Sequence, residues 1–71
     1  MAVEVSAPMS GKITEIFCKV GDQVSYEDEL MILEALKMEN PIFAPADGRI
    51  AEIKVAQGAM VESNQVLLII D

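Results

Sequence analysis

The stretch Ala7-Pro8-Met9-Ser10-Gly11-Lys12-Ile13 returns 37 residues later as Ala44-Pro45-Ala46-Asp47-Gly48-Arg49-Ile50. Followed outward, the same offset aligns Ala7 through Glu34 with Ala44 through Asp71 without a gap. Ten positions are identical: Ala7/Ala44, Pro8/Pro45, Gly11/Gly48, Ile13/Ile50, Glu15/Glu52, Ile16/Ile53, Gly21/Gly58, Val24/Val61, Leu30/Leu67 and Ile32/Ile69. They fall on turn glycines, a proline and apolar positions, the pattern of a structural repeat. The chain divides into halves 1–34 and 38–71, with only Ala35-Leu36-Lys37 between them.

Within each half the local signals are those of strands and turns. Apolar stretches such as Ile13 to Val20 and Leu30 to Leu33 are separated by Gly11, Gly21-Asp22, Asp47-Gly48 and Gln57-Gly58. Ile16, Cys18 and Val20 alternate with Glu15, Phe17 and Lys19, which predicts a strand with those three facing inward. Pro8 and Pro45 have no backbone donor and belong at strand ends or edges. The run Met31 to Glu39 is rich in helix formers, yet strand, turn, strand fits better. Its copy Leu68-Ile69-Ile70-Asp71 is too short for a helix, and Pro41 follows soon after. Neither half buries enough apolar surface alone. The expected fold is therefore all-β: a flattened barrel or sandwich of two four-stranded antiparallel sheets related by a pseudo-twofold, one domain over residues 1–71. Lys37 should then protrude at the tip of a hairpin turn 35–37, with the termini at the opposite end.

Composition narrows the function. Seventy-one residues leave little room for a deep catalytic cavity beside a core. The net charge is −7, and Lys12, Lys19, Lys37, Arg49 and Lys54 are scattered singly, which argues against nucleic acid and anionic membrane surfaces. The longest apolar run, Val66 to Ile70, is far below the roughly 18 to 20 residues of a membrane-spanning helix. The first residues show no basic-then-apolar leader, and one cysteine forms no internal disulfide, so a cytoplasmic location is the expectation. With no histidine there is no imidazole base or His-ligated metal. The acids lack the spacing of a calcium loop and read as a solvated surface. Cys18 aligns with Val55 and reads as a small inward hydrophobe, not a redox site.

The run Glu34-Ala35-Leu36-Lys37-Met38-Glu39-Asn40 resembles the attachment motif of biotin carboxyl carrier domains, commonly Glu-Ala-Met-Lys-Met. The repeated Ala-Pro-x-x-Gly-x-Ile and Gly-x-x-Val elements resemble the remainder of the biotinyl/lipoyl fold, over essentially the whole chain. Leu36 departs from the more common Met, a swap of similar volume and polarity. The gapless repeat leaves no room for the protruding thumb of larger members. The resemblance implies that Lys37 receives biotin as an amide from biotinyl-adenylate on a biotin protein ligase. The ligase must help remove the amine's proton, because only the neutral form is nucleophilic. It implies that Glu34, Ala35, Leu36, Met38 and Glu39 are read by the ligase and by partner sites. It also implies that biotin takes a carboxyl group at a biotin carboxylase and delivers it at a carboxyltransferase or decarboxylase, the domain itself being non-catalytic. Two rivals stand beside this. A lipoyl domain of a 2-oxoacid dehydrogenase complex shares the fold but usually carries Asp-Lys-Ala, where Leu36 and Met38 stand here. An unmodified β-sandwich interaction module would leave the hairpin motif unexplained.

Overall fold

Glycine and Asx turns cut the chain into short strands. The computed structural model describes residues 2–71, and every helix-or-strand element among them is a strand. They are β1 (Val3–Ser6), β2 (Gly11–Ile16), β3 (Gln23–Val24), β4 (Glu29–Ala35), β5 (Met38–Phe43), β6 (Gly48–Ile53), β7 (Met60–Val61) and β8 (Val66–Ile70). Two four-stranded sheets result, ordered β1-β8-β6-β3 and β5-β4-β2-β7, with every pairing antiparallel. The offset of 37 exchanges β1 with β5, β8 with β4, β6 with β2 and β3 with β7, so each sheet order is the image of the other. This is the expected all-β architecture without a thumb.

The halves interlock instead of stacking as separate units. Each sheet takes strands from both, and the Gly21 amide donates to the Ile50 carbonyl (2.8 Å) as the Gly58 amide donates to the Ile13 carbonyl (2.6 Å). The largest fully buried side chains are Ile13, Leu30, Met31, Leu33, Ile50, Leu67, Leu68 and Ile70, four equivalent pairs. No polar or charged residue is buried among the described residues. At about 1.5–3 kcal/mol for each such side chain, one half contributes roughly 6–12 kcal/mol of burial. Each sheet takes two strands from each half, so neither half alone completes a sheet or covers its own apolar face.

One strand ends earlier than its sequence predicts. Alternation extends the strand to Val20, but β2 stops at Ile16 and Val20 is exposed. After Phe17 donates to the Leu30 carbonyl, the chain leaves β4 for a turn closed by Asp22, which accepts from the Lys19 amide (3.0 Å) and donates to its carbonyl. Inward alternation therefore ends at Cys18, and Val20 rides on the turn. Pro8 and Pro45 lie just beyond β1 and β5, and Pro41 lies within β5, which is a sheet edge. All three line the cleft between the edge strands β1 and β5, where missing donors disfavour addition of another strand.

The ends of the molecule follow from the strand directions. β2 starts beside Glu34 next to the β4–β5 turn, and its continuation reaches Gly21 and Asp22 at Ile50, whose neighbour Arg49 exchanges backbone hydrogen bonds with Asp71. The β4–β5 turn and the C-terminus thus occupy opposite ends of a body 32 Å long.

Gly21 and Gly58 have φ of 95° and 91°, and nothing lies within 4 Å of a Cβ added at either. Valine at both positions therefore meets backbone strain alone, about 1–2 kcal/mol at each. The expected result in urea unfolding is a loss of roughly 2–4 kcal/mol for the Gly21→Val/Gly58→Val variant, against at most about 0.5 kcal/mol per site for Glu29→Ala/Glu39→Ala.

Candidate functional site

β4 and β5 are joined by two residues, and such a connection demands a turn whose twist matches the strands. Leu36 and Lys37 adopt φ of 54° and 62°, the pair of positive values that defines a type I′ turn, closed by Ala35 opposite Met38. Neither is glycine or asparagine, so each residue carries about 1–2 kcal/mol of left-handed strain. The flanking ladder holds the turn against that strain. Six register pairs join β4 to β5, and Met31, Leu33, Ala35 and Ile42 anchor them in the interior. The Asn40 side-chain amide spans the ladder, donating to the Met38 carbonyl (3.2 Å) and the Leu33 carbonyl (3.4 Å).

The motif residues are placed unequally. Ala35 is buried; Glu34, Lys37 and Glu39 are exposed; Met38 is 66 % exposed and Leu36 89 %. Leu36 and Met38 therefore flank Lys37 as largely exposed apolar side chains. The ion pair among the described residues is Lys54 with Glu52, and Lys37 has no carboxylate partner. Its amine is thus open to an incoming reagent.

Beside the tip lies an open groove of about 510 Å³ lined by Ser10, Gly11, Lys12, Glu34 to Lys37 and Met60. Gly11 makes it possible: a Cβ there would strike the Glu34 carbonyl oxygen, so only glycine lets β2 approach so closely. The fold builds the same groove at the other end from Gly48, Arg49, Asp71 and Gln23, the equivalents of Gly11, Lys12, Glu34 and Met60. What distinguishes the tip is the hairpin and Met60, 73 % exposed, where the other end has Gln23. Met60 and Asn40 escape a reading of the local motif. The replacement of Gln23 by Met60 across the repeat is the signal that marks the first.

A primary amine on a braced turn, clear of carboxylates and with open space around it, fits a cofactor held by an amide bond. No group of three or more metal-binding side chains occurs among the described residues. Residues 3–70 match the family model described as biotin-requiring enzyme, and the chain belongs to this biotin/lipoyl attachment family. It is 44 % identical over 62 residues to the alpha subunit of mitochondrial methylcrotonoyl-CoA carboxylase of Mus musculus, covering 87 % of this chain and 9 % of that one. It is 45 % identical over 64 residues to the biotin carboxyl carrier protein of Streptococcus mutans, covering 90 % of this chain and 49 % of that one. The fold superposes on part of the Kluyveromyces lactis urea carboxylase with a TM-score of 0.93 at 28 % identity, over 100 % of this chain and 6 % of the other. The chain therefore spans half or less of the length of these relatives.

Cys18 stands apart from the tip, half-buried against the core with its thiol 3.8 Å from the Leu30 carbonyl oxygen. Burial, and secondarily the Asp22 carboxylate, push the thiol above its ordinary value of 9.0. The folded protein thus holds this proton more tightly than the unfolded chain does. The resulting stabilisation is complete below the unfolded thiol's titration and is lost as pH rises through the folded one. Cys18→Val, the residue found at position 55, should flatten the decline in unfolding free energy as pH rises past the ordinary thiol value of 9.0, measured in urea.

Leu36→Asn should relieve the turn, since asparagine tolerates positive φ. The expected gain is about 1 kcal/mol, seen as a thermal midpoint roughly 4–8 °C higher.

Proposed function

We propose that residues 1–71 act as one biotin carboxyl carrier domain, halves 1–34 and 38–71 about the turn 35–37, and that the Lys37 amine is the point of attachment. The observation that carries this reading is an unpaired lysine on a strained, braced I′ turn between two exposed apolar side chains. Lys37 is a substrate of the modifying ligase: its neutral amine forms a bond to the carboxyl carbon of biotinyl-adenylate, the bond from that carbon to the adenylate oxygen breaks and AMP leaves, and the nitrogen gives up one proton. Leu36 and Met38 offer an apolar contact to that ligase, and Glu34 and Glu39 set charge on either side of it. Once bound, biotin supplies the chemistry of accepting and releasing a carboxyl group. The chain supplies reach and aim. A short stiff ladder fixes the root of the arm, while the exposed lysine stem leaves its end free, so tethering replaces diffusion between sites with a high local concentration.

The partners under this reading are a biotin protein ligase and the carboxylase and carboxyltransferase or decarboxylase centres of a biotin-dependent enzyme. Under this reading the domain is a carrier, and the cofactor and the partner centres supply the catalysis.

Intact mass after coexpression with a biotin ligase should show a single biotinyl increment on the wild type and none on Lys37→Arg. The guanidinium preserves charge but is not a usable nucleophile, and the melting temperature should change little because residue 37 is exposed on a turn. A lipoyl increment with a lipoyl-attaching enzyme and no biotinyl increment would reverse the choice of cofactor. Biotin on Lys12, Lys19 or Lys54 would overturn the assignment of the residue.

A further inference from the structure

Because the fold makes each sheet twice, one outer face serves as an internal control for the other. On the outside of β5-β4-β2-β7, Phe43 stands opposite Glu29 at the start of β4, and Phe17 follows β2 with its amide on the Leu30 carbonyl. The two phenylalanines therefore flank β4, two strand spacings or roughly 10 Å apart. The next row is Glu15, Ile32 and Pro41. Phe17 is 52 % and Phe43 51 % exposed, and the remaining aromatic, Tyr26 in the loop leading to β4, is 63 % exposed. Every aromatic side chain of the protein is thus spent on the surface.

The equivalent face of the other sheet shows that the fold does not require this. Lys54 stands where Phe17 does, Ser6 for Phe43, Glu4 for Pro41 and Ser63 for Tyr26, while the inward positions keep their apolar character. Half-exposed phenylalanines on one face only are what a contact surface needs and a free scaffold does not. The rim is acidic, with Glu15 and Glu29 among the aromatics and Glu27 and Asp28 in the loop beside them; Lys19 is the one basic side chain within two residues of an aromatic.

We infer that this face is a second docking surface, separate from the lysine tip, for an apolar protein surface rimmed with lysine or arginine. A second copy of this chain is the wrong occupant, since it would bring Glu15 and Glu29 against their like and join two bodies of charge −7. Resting on the carrier reading, the partner is the body of the carboxylase itself. Phe17 and Phe43 sit near the end of β4 remote from its turn, so a carrier held by this face keeps Lys37 free.

The test measures binding of the full chain to the purified carboxylase and carboxyltransferase components of its own enzyme, by calorimetry. The variants are Lys37→Arg and Phe17→Lys/Phe43→Ser, the latter borrowing what the opposite face already carries, with circular dichroism to check folding and the intact-mass assay for biotin. The expected result is that Lys37→Arg binds one component within about twofold of wild type, and the double variant at least about tenfold more weakly while still accepting biotin. Added salt should weaken the wild-type complex. Equal binding by the folded double variant, no binding by wild type, or wild-type self-association removed by the double variant would each overturn the proposal. Failure of biotin to attach to the wild type would instead overturn the carrier reading, so the two failures are distinct.

Discussion

Everything in this molecule depends on four apolar side chains from each half meeting the same four from the other. Ile13, Leu30, Met31 and Leu33 have no interior to enter unless Ile50, Leu67, Leu68 and Ile70 supply it. That mutual need forces strands of both halves into each sheet, and the interleaving in turn fixes the register of β4 against β2 and β5. A turn bearing two left-handed residues without glycine survives only on such a foundation. Strain at the tip and packing in the interior are one arrangement seen at two places.

The same logic explains why the core is fully apolar among the described residues. With only fifteen buried apolar residues to exclude water, a buried charge or amide would forfeit a large part of the available stability. Polar chemistry is consequently confined to the outside. Carboxylates close turns, as Asp22 does for Lys19 and Asp28 for Ser25, and Asp47 accepts from the Tyr26 amide at 2.7 Å to tie two loops together.

Much of this was legible in the sequence because the repeat is written in the residues that folding constrains most. Turn glycines and inward aliphatics recur at the offset of 37, and the strands, sheets and tip follow from them. Strand ends were less legible. Alternation runs through Cys18 to Val20 although the ladder to β4 is finished, since hydropathy does not register where the partner strand diverges. The turn type was hidden as well: Leu36-Lys37 lacks the Asn-Gly signal of a type I′ hairpin, and the register of the flanking strands imposes it. Met60 reaches the tip groove through β7 pairing with β2, a neighbour far away in sequence. Phe17 reads as an outward residue of its strand, and only the sheet shows that Phe43 flanks the same neighbour, β4.

β1 lies beside β8 as β5 lies beside β4, Val3 facing Ile70 where Asn40 faces Leu33. The far end is therefore a hairpin with its turn removed, and the cut strands stay hydrogen-bonded side by side. Any polypeptide continuing from either strand leaves at one pole, while the β4–β5 turn with Lys37 lies at the other, along a body 32 Å long. Between the two poles strands of both halves share each sheet, so the paired edge of β1 and β8 and the lysine-bearing turn belong to one interlocked body.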